Sequence, residues 1–373
     1  MRVLVDATAI PADRGGVGRY VDALLPELVA LGLDLVVACQ PRDVDATSVL
    51  VPSATVIPAP AGAAHRGVRM AWEQVGLPQL LRRTGAELLH SPHYTMPLAA
   101  GVPVVVTLHD ATFFSHPELH SRVKSRYFRA ATRTAVRRAA GLIVPSRATL
   151  DEVRRYVGGS AAHFQVAYHG VDRSVFHPVD DAEQARVRAE LDIGNRRYVG
   201  FLGTLEPRKN VPALIRGWVQ AVEGMVNPPA LVLAGGPGWD DQVGLAVAAV
   251  PGHLTVRLTG YLPIGDLSGF MSGAEVIAYP SLGEGFGLPV LEAMACGAAV
   301  LTTRELSLPE VGGDAVEYCG TQDTSIAHEL QALLVDPARR RELSGEAISR
   351  AAGFTWEAAA RAHVEAFERA LAR

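Results

Sequence analysis

Two glutamates lie close together in the glycine-rich stretch GEGFGLPVLEAMACG, residues 283–297. Glu284 lies in a tight turn, and Glu292 lies in a short helix that Pro289 opens. Ionised carboxylates accept hydrogen bonds and cannot donate them, so the pair suits the hydroxyls of a sugar and of a ribose. Backbone N–H groups at the helix start can cradle a phosphate or sugar hydroxyls; they belong to Phe286, Gly287 and Leu288. A capped, buried helix with two unrelated acids is the alternative interpretation.

A second candidate site is the segment GTLEPRKN, residues 203–210, which directly follows an apolar run. Arg208 and Lys209 lie at the mouth of the predicted strand, beside a helix that we expect to start near Asn210. A cationic side chain and the free N–H groups of a helix start suit a phosphate. A turn with solvated charges is the alternative. Together, a lysine for a diphosphate and glutamates for hydroxyls indicate a nucleotide-sugar.

These segments require a scaffold, and two series of short apolar runs alternating with helical patterns predict one. They indicate two consecutive α/β domains with open parallel sheets. The first set of predicted strands is Val3–Val5, Leu35–Ala38, Leu88–Leu89, Val104–Thr107 and Leu142–Val144. The second set is Tyr198–Leu202, Leu231–Ala234, Thr255–Leu258, Val276–Ala278 and Ala299–Leu301. Such sheets bind ligands at the carboxyl ends of their strands, so we expect a site in a cleft between the domains.

The helices predicted between the early strands span residues 16–31, 122–140 and 147–156. We predict a first domain over residues 1–175 and a second over 176–355, with an irregular linker at 170–179. A break at residues 354–356 precedes a last helix over 356–373, which we expect to pack on the first domain.

Composition narrows the class of protein. The 373 residues are 49% hydrophobic and 20% charged, as in folded globular proteins, and they fit two domains. A net charge of -4 argues against nucleic-acid binding. Three widely spaced cysteines indicate neither a disulfide framework nor a zinc site and suit a reducing cytoplasm. We expect no signal peptide and no transmembrane helix.

The segment around Gly15 and Gly16 fails as a dinucleotide fingerprint. Its third glycine is missing at Val21, and the second strand ends in Cys39-Gln40 with no acid for a ribose. A dehydrogenase is therefore disfavoured.

Three segments of the second domain resemble the motifs of glycosyltransferase family 4, whose members are retaining enzymes of the GT-B fold. They are GYL at 260–262, SLGEGFGLPVLEAMACG at 281–297 and LPEVGG at 308–313. The resemblance extends from GGVG at 15–18 to the C-terminal helix. It implies two Rossmann-like domains facing a cleft, with the last helix crossing back to the first domain.

Carried over position by position, the resemblance implies that Glu284 binds the donor sugar and Glu292 the ribose. Lys209, helped by Arg208, would hold the diphosphate. Many relatives have an arginine directly after the glycine that ends this strand. Thr204 stands there instead, which leaves the role of Arg208 less defined than that of Lys209.

Further donor contacts follow from the same resemblance. The backbone around Leu262 would meet the base, and Gly15 and Gly16 would let the backbone approach the donor phosphate. His109 closes the strand over 104–108, and relatives place a histidine here next to the reacting sugar. We therefore predict His109, Glu284 and Lys209 as the catalytic residues. The residues predicted to face the acceptor, with packing as the alternative for the first two, are Trp72, His93 and Asp110.

The implied reaction moves a hexose from a nucleotide-sugar to an acceptor hydroxyl with retention, in polysaccharide or lipid-linked glycan synthesis. We expect no metal and no cofactor, because cations and helix dipoles can meet the leaving-group charge. The segment 203–210 resembles mannosyltransferases, so GDP-mannose is the first donor to consider. UDP-glucose remains an alternative donor. A nucleotide-sugar epimerase and a non-catalytic nucleotide-sugar-binding protein remain alternative functions.

A basic stripe is predicted on the helix over 122–140. Its arginines recur at steps of three and four residues, which places them on one face, and they are Arg122, Arg126, Arg129, Arg133 and Arg137. Anionic lipid attracts such stripes at about 1 kcal/mol per basic residue. We therefore expect a cytoplasmic protein that associates with the inner face of a membrane, with an ordinary solvated helix face as the alternative.

Overall fold

The computed structural model describes residues 1–12 and 14–373, which form two compact units. The first unit comprises residues 1–170 and 355–373, and the second comprises residues 171–354. The sequence predicts the division after Val175, whereas the structure has it after Gly170. The difference arises because Ser268 of the second unit holds the intervening segment: its hydroxyl donates to the Val175 carbonyl at 2.5 Å and accepts from the His177 N–H at 3.3 Å.

The first unit contains a parallel sheet of seven strands in the order β3-β2-β1-β4-β5-β6-β7. The strands are β1 Arg2–Asp6, β2 Asp34–Cys39, β3 Thr55–Pro58, β4 Leu88–Ser91, β5 Val104–Thr107, β6 Gly141–Val144 and β7 Phe164–Val166. The helices are α1 Gly15–Ala30, α2 Val44–Leu50, α3 Arg66–Thr84, α4 Thr112–Ser115, α5 Arg122–Arg138 and α6 Arg147–Tyr156. β1, β2, β4, β5 and β6 are almost wholly buried, which explains why they read as continuous apolar runs.

The second unit contains a parallel sheet of six strands in the order β10-β9-β8-β11-β12-β13. The strands are β8 Tyr198–Leu202, β9 Ala230–Ala234, β10 Val256–Gly260, β11 Val276–Tyr279, β12 Val300–Thr303 and β13 Glu317–Cys319. The helices are α7 Asp181–Glu190, α8 Val211–Ala221, α9 Gln242–Ala248, α10 Leu267–Ser272, α11 Leu288–Ala295, α12 Leu308–Gly312, α13 Asp323–Val335 and α14 Pro337–Ala351. The two predicted parallel sheets are thereby confirmed.

The last helix, α15 over Trp356–Leu371, belongs to the first unit. Thr355 caps its first turn by accepting from the Ala358 N–H at 3.1 Å. Its buried face includes Phe367 and His363, and it packs on α1 and along β5, β6 and β7. The predicted return of this helix to the first unit is confirmed.

Each sheet reverses its strand order at one point, between β1 and β4 in the first unit and between β8 and β11 in the second. Loops that follow the two strands at such a point diverge to opposite sides and leave a crevice at the carboxyl edge. The candidate residues are therefore expected in the loops after these strands.

Candidate active site

Lys209 and Glu284 meet at the reversal point of the second sheet. Lys209 ends a single 3-10 turn after β8, and Glu284 lies in the turn after β11. Because β8 and β11 are parallel neighbours, their carboxyl ends share one edge. Both side chains are buried, and Lys209 Nζ lies 2.7 Å from Glu284 Oε1. The topology thus brings together a cation and an acid that lie in separate motifs.

The Glu284 carboxylate accepts hydrogen bonds from four protein groups. Oε1 accepts from Lys209 Nζ at 2.7 Å, from the Ser281 hydroxyl at 2.8 Å and from the Tyr279 hydroxyl at 2.9 Å. Oε2 accepts from Arg208 Nη1. The lysine also donates to the Tyr279 hydroxyl. The acid is therefore fixed in position by its own surroundings.

These contacts set the ionisation of the acid. Burial opposes ionisation, but the charges of Arg208 and Lys209 outweigh it and lower the pKa of Glu284 to about 2. Burial and the nearby Arg208 charge lower the pKa of Lys209. Glu284 is therefore a carboxylate at neutral pH, held by two cationic side chains.

The turn that carries Glu284 is pinned from the opposite side by Ser307. Its hydroxyl lies 2.7 Å from the Glu284 carbonyl and 2.9 Å from the Phe286 carbonyl. Gly287 follows with φ +103°, a conformation that favours glycine, and it is the N-cap of α11. The helix begins at Leu288, one residue before the predicted Pro289. Glu292 is buried within this helix.

Thr204 and Leu262 lie at the same edge of the sheet, after β8 and β10, and both are half-buried. Close backbone packing surrounds Thr204: a Cβ on Gly235 would lie 2.0 Å from the Gly203 carbonyl oxygen. Gly235 has φ +140° and directly follows β9. The donor-binding residues predicted in the loops of the second unit thus lie at one edge of its sheet, and Glu292 lies inside α11, which begins at that edge.

In the first unit, Gly15 and Gly16 open α1 and are exposed. Gly15 has φ +53°. A Cβ added at Gly16 would meet no described atom within 4 Å. Packing among the described residues of this unit therefore does not require glycine at position 16.

His109 directly follows the buried Leu108, beyond the end of β5. Its Nε2 lies 2.6 Å from the Pro92 carbonyl, which only accepts, so Nε2 carries the proton and Nδ1 is left as an acceptor. Burial lowers the pKa of His109, and the ring is therefore neutral at pH 7. The ring of Tyr20 packs edge-on against it, with 5.1 Å between centroids.

Two of the predicted acceptor residues flank this histidine. The His93 ring centroid lies 6.3 Å from that of His109, and burial together with His109 lowers the pKa of His93 to about 3. Asp110 accepts from the Thr112 hydroxyl at 2.9 Å and donates its backbone N–H to the Tyr94 hydroxyl at 2.9 Å. Tyr94 has φ +57°, an uncommon value for a bulky residue. The structure thus groups His93, Asp110 and His109 around Tyr94.

Trp72 is placed differently. It lies on α3, half-buried against the hydrophobic core of the first unit, with its indole over Gly76. Its neighbour Glu73 is buried and accepts from Thr95 at 2.5 Å and from Arg69 at 3.2 Å. Burial raises the pKa of Glu73.

The sequence alone does not single out several residues of the site. Tyr279 and Ser281 bond Glu284 directly, and Ser307 holds its turn. Tyr279 could have been found from its place at the end of a strand, since that is where open sheets carry site residues. Ser307 offers no comparable signal, because its contacts join segments that are distant in sequence.

Two further observations concern ligands and membranes. Among residues 1–12 and 14–373, no group of three or more His, Cys, Asp or Glu side chains is arranged to hold a metal ion. None of the helices formed by these residues combines the length and the apolar character needed to traverse a bilayer.

Comparison with known proteins adds evidence from outside this chain. A family model described as Glycosyltransferase Family 4 matches residues 14–175, and one described as Glycosyl transferases group 1 matches residues 183–350. The chain is 31% identical over 274 residues to the O-antigen chain mannosyltransferase B of Escherichia coli. That match covers 72% of this chain and 71% of the relative.

Two solved structures resemble the whole chain. Sucrose-phosphate synthase from Thermosynechococcus elongatus has a TM-score of 0.81 at 21% identity and covers 100% of this chain and 99% of its own. HepE from Anabaena in complex with UDP-glucose has a TM-score of 0.78 at 19% identity and covers 99% of each chain. At these identities the likeness concerns the fold.

Proposed function

The chain belongs to the glycosyltransferases of family 4, and from that premise we propose that it moves mannose from GDP-mannose to an acceptor hydroxyl with retention. The observation that carries the proposal is the ion pair of Lys209 and Glu284 at the reversal point of the second sheet. The adjacent cation and acid support the proposal that one binds a diphosphate and the other a sugar hydroxyl.

In this proposal Lys209 binds the donor diphosphate, with Arg208 beside it. Glu284 accepts a hydrogen bond from a sugar hydroxyl, and Glu292 accepts one from the ribose. The start of α11, at Leu288, offers backbone N–H groups to the phosphates, with Phe286 and Gly287 in the turn before it. Thr204 and the backbone of Leu262 complete the donor side, and the open space at Gly16 suits close approach of a phosphate.

The reaction then proceeds on one face of the sugar. The bond between the anomeric carbon and the diphosphate oxygen breaks, and the acceptor oxygen bonds to the carbon from the same side. The acceptor proton passes to the departing diphosphate oxygen, so no protein base is needed. Lys209 and Arg208 stabilise the charge that develops on the leaving group, which is the largest catalytic effect we assign.

His109 is proposed as the active-site residue of the first unit. A neutral ring with its Nε2 proton held by the Pro92 carbonyl has a fixed orientation. It acts by positioning the reacting sugar rather than by transferring a proton. His93 and Asp110, which lie beside it, are proposed to contact the acceptor. Trp72 is also proposed to contact the acceptor, on the basis of the sequence alone.

Mannose is favoured as the transferred sugar because the chain is 31% identical to an O-antigen mannosyltransferase. UDP-glucose is the second donor to test, since a structurally similar protein has been solved with it. A thermal-shift panel of GDP-, UDP-, dTDP- and ADP-sugars identifies the base, because a ligand that binds only the native state raises the melting temperature. We expect the largest shift with GDP-mannose.

A transfer assay separates the proposal from its rivals. A glycosyltransferase releases GDP in proportion to a mannosylated product and only when an acceptor glycan is present. An epimerase would convert the sugar without any acceptor, and a binding protein would release no nucleotide. Either of these results would contradict the proposal.

We also infer that the acceptor is a growing polysaccharide or a lipid-linked glycan and that α5 meets an anionic membrane surface at the cytoplasmic side. Arg122, Arg126 and Arg137 are exposed on that helix. Arg129 and Arg133 are partly engaged with α4: Arg129 Nε donates to the Phe113 carbonyl at 2.6 Å, and both guanidinium groups lie over the Phe114 ring. The stripe therefore has four exposed arginines, of which Arg133 also packs on Phe114, and Arg129 anchors the helix to α4.

Vesicle sedimentation at low salt tests the membrane proposal. We expect wild type to bind vesicles rich in phosphatidylserine, and the triple change of Arg122, Arg126 and Arg137 to alanine to abolish binding. Changing Arg82 and Arg83, exposed at the end of α3, to alanine is the matched control. Equal binding by the triple variant and wild type would show that this face of α5 is an ordinary solvated helix face and not a membrane-binding surface.

A further inference from the structure

Tyr279 has a place in the site that the proposed function leaves unexplained. Its hydroxyl contacts both members of the ion pair, because it accepts from Lys209 Nζ and donates to Glu284 Oε1 at 2.9 Å. Resting on the proposed function, we infer that Tyr279 is a positioning residue: it holds Glu284 in place while Lys209 leaves the acid for the donor diphosphate and a sugar hydroxyl takes the vacated position.

The hydrogen bonds to Glu284 are crowded at one of its two carboxylate oxygens. A carboxylate offers about four lone-pair sites, two on each oxygen. Lys209, Tyr279 and Ser281 converge on Oε1 of Glu284, and Arg208 occupies Oε2. Oε1 has two lone pairs and already three donors, so a sugar hydroxyl can donate to this oxygen only after one of them has left.

Lys209 is the donor that leaves. Its flexible side chain carries a full charge, and a diphosphate with two or more negative charges attracts it more strongly than one carboxylate. Tyr279 cannot follow, because it ends a buried strand and its ring stacks on Phe201 with 5.8 Å between centroids. Its ring is 1% exposed, and burial raises its pKa well above its usual range, so the hydroxyl keeps its proton.

The two parts of the donor are therefore bound in a fixed order, the diphosphate first and the sugar second. Oε1 of Glu284 becomes available to the sugar only after the diphosphate has taken Lys209, and Tyr279 and Ser281 then keep the carboxylate in its original position. The nucleotide part of the donor should therefore bind without help from Tyr279. The additional affinity that the sugar provides should depend on it.

The test compares GDP with GDP-mannose in Tyr279→Phe, a change that removes only the hydroxyl. We expect the dissociation constant for GDP to stay within about twofold of wild type. The dissociation constant for GDP divided by that for GDP-mannose measures the contribution of the sugar. This ratio should fall by about tenfold, which is the effect of losing one hydrogen bond to a charged group. Turnover should fall as well, because the sugar is less well placed.

The matched control is Tyr198→Phe. Tyr198 is also 1% exposed and lies at the start of β8, away from the site edge of the sheet. Its hydroxyl donates a hydrogen bond to the Phe270 carbonyl at 2.6 Å. We expect this variant to lose stability and to keep the ratio. A Glu284→Gln background gives a second readout: Tyr279→Phe should there change the ratio no further, because it acts through Glu284.

The outcomes distinguish the two proposals. If GDP and GDP-mannose lose affinity equally in Tyr279→Phe, or if the ratio is unchanged, the positioning role is wrong and the proposed function stands. If no nucleotide or nucleotide-sugar stabilises wild type, the proposed function fails and takes this inference with it. If another nucleotide-sugar gives the largest shift, the same comparison is made with it and its nucleotide.

Discussion

Tyr20 on α1 and His363 on α15 share a hydrogen bond of 2.6 Å in the interior of the first unit, across 343 residues of sequence. His363 Nδ1 lies 2.7 Å from the Ala359 carbonyl, so Nδ1 carries the proton and Nε2 accepts from Tyr20. Thr107 must then donate to Tyr20 at 3.0 Å, and His90 Nε2 must donate to Thr107 at 2.9 Å. A single carbonyl thus fixes the direction of a chain of hydrogen bonds from β4 to the last helix.

The buried His363 in this row of hydrogen bonds predicts that the stability of the protein depends on pH. Burial lowers the pKa of His363 to about 4, whereas an unfolded histidine titrates near 6.5. Between these values the unfolded chain binds a proton that the folded chain does not, so the free energy of unfolding falls as the pH falls. We expect the contribution of His363 to be complete above pH 6.5 and to fall by about 3 kcal/mol on approaching pH 4, in addition to the contributions of the other buried histidines.

Urea denaturation at pH 7.5, 6 and 5 measures this slope. His363→Gln can still accept from Tyr20 but does not titrate, so its slope should be shallower than that of wild type. His328→Gln, on an exposed side chain of α13, is the control and should keep the full slope. An unchanged slope in His363→Gln would place the titration elsewhere.

The strands show which parts of the fold can be predicted from the sequence. All ten strands predicted from apolar runs are present, whereas β3, β7 and β13 were missed. Each of these three is an edge strand of its sheet and is only partly buried. Its sequence therefore carries no continuous apolar run. The same limit applies to the junction at residues 171–175, whose attachment to the second unit depends on Ser268.

The site shows a similar division. Glu284 and Lys209 could be singled out from charge, glycine content and position after a strand. Their direct contact follows only from the strand order, which places β8 beside β11. The place of Tyr279 at the end of a strand indicates a site residue but not its contact with Glu284, and Ser307 could not be assigned, because its role depends on the loop that folds against it.

Replacing Lys209 by alanine should abolish most turnover. The change removes the cation that meets the leaving diphosphate, and losing one well-placed charge costs on the order of 10² to 10³ in rate. Glu284→Ala should have a comparable effect. Initial rates of GDP release with acceptor measure the loss, and circular dichroism confirms that the variants fold.

The matched control for Lys209 is Arg216→Ala on the exposed side of α8, where the guanidinium pairs with Asp323 at 3.0 Å. An exposed pair of this kind contributes about 0 to 1 kcal/mol, so we expect wild-type turnover. Near-normal turnover in Lys209→Ala would refute the assignment of the site.

His109→Ala should lower turnover and stability together. The change removes the ring proposed to position the sugar, and it leaves the buried Pro92 carbonyl without its donor, which costs about 1–3 kcal/mol. His116→Ala in the loop after α4 is the control and should retain activity. A His109→Ala enzyme that loses stability but keeps its turnover at low temperature would make this histidine a packing residue only.

Gly287→Ala should disturb the site through the backbone alone. Gly287 has φ +103°, where side chains are strained by about 1–3 kcal/mol, and an added Cβ would lie 2.9 Å from Leu308 Cδ2. The Leu308 methyl group can move aside, but the backbone strain remains. Because this residue connects the turn of Glu284 to α11, we expect relaxation of the strained backbone to displace the acid, with both a lower melting temperature and a weaker response to GDP-mannose. Gly244→Ala in α9 is the matched control: it meets no described atom within 4 Å, and alanine should stabilise that helix by about 1 kcal/mol. If Gly287→Ala instead melts no lower than wild type, the left-handed turn is not what holds Glu284 against Lys209.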